Sequence, residues 1–222
     1  MNPHHTQQHK ARELPTGLYP VTDTALLKNR LLERVRATLE GGARIVQYRD
    51  KTNDHWRRLS EALQLKQLCT DHNALLIIND DVQLALEANA DGVHIGAHDV
   101  DLLQARSRLG NAKIVGVSCY NQLSLALEAQ AAGANYVAFG SFFSSSVKPQ
   151  AVTASLDLLV KARQQLTIPV VAIGGITLEN ANKLVIAGAD MLAVINGVFA
   201  QKAIQSTAQA FTDLYETRKY QP

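Results

Sequence analysis

The sequence predicts an α/β fold, a single (β/α)8 barrel of the TIM type, on three observations. Short apolar runs alternate with amphipathic stretches eight times between Leu18 and Glu216, and strict strand–helix alternation is the pattern of a parallel α/β sheet. One phrase recurs where helix gives way to strand: Gly42-Ala43-Arg44-Ile45-Val46, Gly133-Ala134-Asn135-Tyr136-Val137 and Gly188-Ala189-Asp190-Met191-Leu192. Such recurrence marks a repeated supersecondary unit. The length, 222 residues, falls within the roughly 200 to 250 residues that one such barrel occupies. A doubly wound open sheet is the alternative. It lacks support because no Gly-x-Gly-x-x-Gly turn follows the first strand, and eight right-handed units suffice for closure.

Taken in order, the first unit pairs a strand at 18–21 with a helix at 25–40, whose Leu26, Leu27, Leu31, Val35 and Leu39 share one face. Gly41-Gly42 stops that helix. A second strand at 43–48 leads through Arg49-Asp50-Lys51 to a long helix at 53–71. The third unit runs from the apolar residues 75–78 through Asn79-Asp80-Asp81 into a helix beginning at Val82, and the fourth strand at 92–95 ends before Asp99. Helix 100–109, strand 113–117 and helix 121–132 follow. Strand 135–139 precedes a loop, 140–153, that is the longest connection in the chain, and loops of that length usually carry function. Helix 154–166, strand 169–173, Gly174-Gly175, helix 178–187, strand 191–195 and helix 200–216 complete the eight units. Residues 1–15 read as a disordered tail, with His4, His5 and His9 solvated in it, and 16–222 as the catalytic barrel.

Composition narrows the function. A net charge of +2 with no basic run interleaved with aromatics gives no nucleic-acid footprint. No apolar leader and no stretch of membrane-spanning length is present, so a cytoplasmic location without membrane partners is expected. Cys69 and Cys119 are too few for a disulfide framework and read as reduced thiols.

In a β/α barrel the residues just past the strands converge on one mouth. Here they are Gln47, Arg49 and Lys51 after strand two, Asn79 and Asp80 after strand three, Asp99 after strand four, and Ser118 at the end of strand five. Lys148 lies on the long loop, Gly174-Gly175 follows strand seven and Asn196-Gly197 follows strand eight. Two carboxylates with open positions suit Mg²⁺, which shares its shell with substrate phosphates. Three cations and a hydroxyl suit the phosphate oxygens, and Arg can grip two at once. The glycine turn and the Ile195-Asn196-Gly197 turn suit a second anion, because the loops after strands seven and eight are a standard phosphate site of such barrels. Cys119 beside Ser118 lacks an activating His and reads as an idle thiol. His94 reads as strand packing and His98 as a loop residue, not as a transition-metal pair.

The motifs Gln47-Tyr48-Arg49-Asp50-Lys51, Ile78-Asn79-Asp80, Asp91-Gly92-Val93-His94-Ile95-Gly96 leading to Asp99, Gly116-Val117-Ser118, Phe139-Gly140 with Lys148-Pro149, and Ala172-Ile173-Gly174-Gly175-Ile176 resemble those of the thiamine-phosphate synthases, from about residue 18 to 199. The resemblance implies Mg²⁺ on Asp80 and Asp99. It implies hydroxymethylpyrimidine diphosphate on Gln47, Arg49, Lys51, Asn79, Ser118 and Lys148, of which Arg49, Lys51, Ser118 and Lys148 act in catalysis. Thiazole phosphate falls to Gly175, Ile195 and Asn196, with help from Ser145, Ser146 and Val147. The implied partners are these small phosphorylated molecules, and homo-oligomerisation stays open. Three departures stand out. Ser145-Ser146-Val147-Lys148 replaces a Thr-x-Thr-Lys run, Asn196 replaces a serine, and Asp81 stands where a basic residue is common and is expected to lower the positive field near the metal. Two other readings are a thiazole tautomerase, which has no use for the cations beside two metal carboxylates, and a non-catalytic phosphate-binding paralogue, suggested by Val147 and Asn196.

Overall fold

The computed structural model describes residues 13–96, 102–144 and 152–218. Among the described residues eight strands are present: β1 (Gly17–Pro20), β2 (Ile45–Tyr48), β3 (Leu75–Asn79), β4 (Gly92–Ile95), β5 (Ile114–Tyr120), β6 (Tyr136–Phe139), β7 (Val170–Ile173) and β8 (Met191–Val194). All pair in parallel, in the order β1-β8-β7-β6-β5-β4-β3-β2. The two ends of that order meet through a Val21↔Gln47 bridge and a 2.9 Å bond from the Thr22 N–H to the Gln47 carbonyl, which closes the barrel.

The strands read as continuous apolar runs because both their faces are buried. Ile45, Ile77, Tyr136 and Met191 point inward and form a core inside the barrel, while their neighbours Val46, Ile78, Val137 and Leu192 point outward beneath the helices. Leu14, ahead of β1, packs against the inner core. The surrounding helices are α1 (Thr24–Leu27), α2 (Leu31–Glu40), α3 (His55–Asp71), α4 (Val82–Glu87), α5 (Leu102–Leu109), α6 (Leu123–Ala131), α7 (Leu156–Gln165), α8 (Leu178–Ile186), α9 (Asn196–Phe199) and α10 (Ile204–Arg218).

Three local features differ from the sequence reading. The first helix is broken, because Lys28 adopts φ 48° and a 3₁₀ turn (Lys28–Arg30) separates α1 from α2. Strand five does not end at Val117. It runs to Tyr120 with a register shift between Ser118 and Tyr120, so Ser118 and Cys119 lie within β5. Residues 196–199 form a short helix, α9, that no apolar stripe announces. Among the described residues no helix is long and apolar enough to cross a membrane.

Candidate active site

Alternation along β2 and the turn after it sorts the motif Gln47 to Lys51 into two sets, as the period of two requires. Gln47 and Arg49 line a cavity of about 540 Å³ at the carboxyl ends of the strands, and Lys51 lines an adjoining hollow of about 360 Å³. Tyr48 and Asp50 turn the other way, onto α3. The Tyr48 hydroxyl donates to Glu61 at 2.6 Å, and the fully buried Asp50 side chain accepts from the Thr52 N–H at 2.7 Å and from Arg57 at 2.5 Å. Burial pushes the Asp50 carboxyl up, but the hydrogen bonds from Thr52 and Arg57 outweigh it and hold the group at about 2. The outward pair thus anchors the turn that presents Arg49 and Lys51.

Arg49 is also held from β1. Its backbone N–H donates to the Thr22 hydroxyl at 2.8 Å, and its guanidinium meets Asp23 at 3.2 Å. Asp23 spends its other oxygen on the Leu26 N–H, capping α1. These two residues were missed in the sequence, although they are the polar pair immediately past strand one.

Asp80 follows β3 with φ 62°, a left-handed backbone that an aspartate tolerates better than most side chains. One of its oxygens receives both the Lys51 ammonium and the Asn79 amide, each at 2.5 Å. Asn79 lines the cavity and the hollow, so it joins them. Asp81, next along, caps α4 by accepting from the Leu84 N–H at 2.9 Å and pairs with Arg58 at 2.9 Å, so its charge is shared with a cation beside it.

The cavity's far side is built from Gly174, Gly175, Ile195 and Asn196. Gly175, at φ 62°, lies so close to the strand-six loop that a Cβ would stand 2.4 Å from the Ser144 carbonyl, a separation no side chain tolerates. The pair is therefore a tight turn and a cavity wall at once. Phe142 and Phe143 donate to the Ile173 and Gly174 carbonyls at 3.2 and 3.1 Å, which pins the start of the long loop to this turn. Ile195 caps α9 and Asn196 opens it, and the first turn of a helix presents N–H groups at that end.

Gln47, Arg49, Asn79, Ser118, Gly175, Ile195 and Asn196 thus share one cavity, and Lys51 and Asp80 share the hollow beside it. Asp99, Ser145, Ser146, Val147 and Lys148 lie outside the described residues. Among the described residues no group of three or more His, Cys, Asp or Glu side chains could hold a metal ion. Cys119 faces the outer core, and burial pushes its thiol, like that of Cys69, up to about 12, which keeps both unreactive.

A second set of residues escaped the sequence reading. Beneath the cavity the Gln47 amide nitrogen meets the Tyr19 hydroxyl at 3.1 Å, which meets the Tyr136 hydroxyl at 2.8 Å. The Tyr136 hydroxyl meets His94 Nδ1 at 3.0 Å, and His94 Nε2 meets the Ser118 hydroxyl at 2.9 Å. His94 is on its strand as expected, but it bonds through both ring nitrogens. The available signal was parity: Tyr19, Gln47, His94, Ser118 and Tyr136 all occupy inward positions of their strands.

Comparison with known proteins places the chain. The family described as thiamine monophosphate synthase matches residues 18–198. The thiamine-phosphate synthase of Thioalkalivibrio sulfidiphilus is 50% identical over 201 residues, covering 90% of this chain and 95% of its own. That of Acidithiobacillus ferrooxidans is 47% identical over 210 residues, covering 93% and 97%. The solved structure of the thiamine phosphate pyrophosphorylase from Pyrococcus furiosus superposes with a TM-score of 0.83 at 33% identity, covering 91% of this chain and 96% of that one. With the match spanning nearly the whole barrel and its mouth, the chain belongs to the thiamine-phosphate synthase family, a family of transferases.

Proposed function

We propose that this enzyme joins hydroxymethylpyrimidine diphosphate to a thiazole phosphate, the methyl-hydroxyethyl form or its carboxylated relative, releasing pyrophosphate and thiamine phosphate. The observation that carries the reading is the meeting, at Asn79, of a cavity lined by Arg49 and Ser118 with a hollow holding Lys51 and Asp80. The pyrimidine binds over Gln47 and Ser118, with its diphosphate reaching toward Arg49, Lys51 and Lys148. The thiazole phosphate binds at Gly175 and the Ile195-Asn196 backbone, with help from Ser145, Ser146 and Val147.

The chemistry at Asp80 fits a hard cation: it is a strand-end carboxylate whose charge is met at the mouth by the Lys51 ammonium and by the Asn79 amide N–H. Asp80, with Asp99, would hold Mg²⁺, which when bound neutralises charge on the departing pyrophosphate. The bond that breaks joins the pyrimidine methylene to the diphosphate oxygen, and its electron pair leaves with pyrophosphate. The thiazole nitrogen then forms the new bond to the methylene carbon. Neither step needs a protein nucleophile. Arg49, Lys51, Lys148 and the Ser118 hydroxyl stabilise the leaving anion, and Arg49 and Lys51 are already held by Asp23 and Asp80 before the reaction starts. The glycine turn and α9 hold the second substrate in line.

The test is release of pyrophosphate from hydroxymethylpyrimidine diphosphate with Mg²⁺, with and without thiazole phosphate. Release coupled one-to-one to thiamine phosphate is expected. Tight binding of both substrates without product would instead support the phosphate-sensing reading that Val147 and Asn196 suggest. Chelation of divalent ions is expected to stop turnover, and added Mg²⁺ to restore it.

A further inference from the structure

We infer that Tyr19, Tyr136 and His94 form a polarised hydrogen-bond relay across the barrel interior that keeps Ser118 a proton donor toward the cavity. The inference rests on the function proposed above for Ser118, and it concerns residues at the floor of that cavity, where Tyr19 and His94 line it beside Gln47.

The direction follows from counting protons. Burial raises both tyrosine hydroxyls above their ordinary range, so each stays protonated and has one proton to give. The Gln47 amide N–H donates to the Tyr19 oxygen, so Tyr19 gives its proton to the Tyr136 oxygen. Tyr136 must then give its own proton to His94 Nδ1. A neutral imidazole that accepts at Nδ1 carries its hydrogen on Nε2, and that N–H donates to the Ser118 oxygen. With its oxygen engaged as acceptor, Ser118 directs its own O–H into the cavity it lines. The reverse polarity, with Ser118 donating to His94 and Tyr136 to Tyr19, would make the Tyr19 oxygen accept twice and leave its own proton outside these four contacts.

The relay is built, not incidental. His94 is 8% exposed, Gln47 4%, and Tyr19 and Tyr136 are fully buried. Gly116 is register partner to both His94 and Tyr136. A Cβ there would fall 2.0 Å from the Tyr136 ring and 2.4 Å from its hydroxyl, so β5 leaves out a side chain where the ring crosses. A packing role needs an aromatic at position 136 but no hydroxyl. The relay needs the hydroxyl.

Two measurements on the full chain test this. In histidine-¹⁵N-labelled protein without substrates, long-range ¹H–¹⁵N correlation should show His94, assigned from its loss in His94→Gln, as the neutral Nε2–H tautomer. Tyr136→Phe should move its Nδ1 resonance toward that of an imidazole nitrogen without a hydrogen bond. An Nδ1–H tautomer, or an Nδ1 signal indifferent to Tyr136→Phe, would overturn the relay whatever the enzyme catalyses. The second is a double-mutant cycle in kcat/KM for hydroxymethylpyrimidine diphosphate. Tyr136→Phe should cost about tenfold alone, as loss of one buried hydrogen bond does, and less than about twofold in a Ser118→Ala background, because coupled residues are not additive. KM for thiazole phosphate should not change. Equal cost in both backgrounds would overturn the relay while leaving the reaction assignment intact. Absence of turnover in the unaltered enzyme would remove the reaction assignment and leave the spectroscopic result to decide the relay.

Discussion

Asp80 and Asp81 are neighbours with the same side chain and opposite employment. Asp80 holds a left-handed backbone that costs a non-glycine residue roughly 1 kcal/mol or more, and it turns its carboxylate toward Lys51 and Asn79 at the mouth. Strain kept at such a place puts a charge where an extended strand would not. Asp81 has ordinary extended angles and uses its charge on the α4 N-terminus and Arg58. Asp80→Asn keeps size and hydrogen bonding and removes the charge. Turnover dependent on Mg²⁺ is expected to fall on the order of a hundredfold or more, measured as pyrophosphate release across a Mg²⁺ titration; an unchanged rate would overturn the proposal that Asp80 holds the metal. Asp81→Ala should leave turnover within about twofold while lowering unfolding free energy by about 1 kcal/mol through the lost cap, read from urea denaturation. The same pair shows what a sequence conveys at this scale. The acids after strand three were visible, yet which of them caps a helix and which faces the mouth depends on φ and on an arginine two elements away.

At the scale of elements, the turn between β2 and α3 is stiffened from outside the barrel. Asp50 is ionised in the fold and held at about 2, below the roughly 3.9 of an unfolded chain. Its pKa is depressed on folding, so its contribution is complete above about pH 4 and is lost as pH falls through about 2, a contribution on the order of 2 kcal/mol. The difference in urea midpoint between wild type and Asp50→Asn should therefore be largest near neutral pH and shrink between pH 4 and pH 2. A difference constant over that range would show that the charge of Asp50 is not what anchors the turn. Strands and most helices were legible because doubly buried strands are apolar without interruption and helices carry a stripe. Breaks were not. The stripe from Leu26 to Leu39 runs through the Lys28 interruption without a change of period, since the 3₁₀ turn advances the chain with the apolar face still inward. The extension of β5 was hidden by Ser118 and Tyr120, polar side chains that resemble a loop when read along the chain but that a barrel mouth places on a strand. The relay residues were hidden for the opposite reason. Tyr and His on inward positions resemble packing, and only the meeting of five strands shows that their polar atoms find one another.

On the scale of the whole molecule, the barrel has one seam unlike the others. Seven strand pairs are joined by ladders of three or four register partners, whereas β1 and β2 are joined by the Val21↔Gln47 bridge, the Thr22 N–H to Gln47 carbonyl bond, and the Thr22 hydroxyl on Arg49. Thr22 is 1% exposed, so its hydroxyl replaces a missing rung of the ladder, and the seam it closes carries Gln47 and Arg49. Closure and the substrate contacts proposed for these two residues thereby depend on the same few atoms. Thr22→Val preserves shape and removes the acceptor of the Arg49 N–H, and a buried donor left without a partner costs about 1–3 kcal/mol. The loss should be local before it is global. Amide hydrogen exchange is expected to quicken at residues 47–49 while the β4 to β6 amides keep their protection, and KM for the pyrimidine diphosphate should rise with KM for thiazole phosphate unchanged. If exchange instead quickens evenly around the barrel, the seam has no independence, and the stability of the mouth is that of the whole fold.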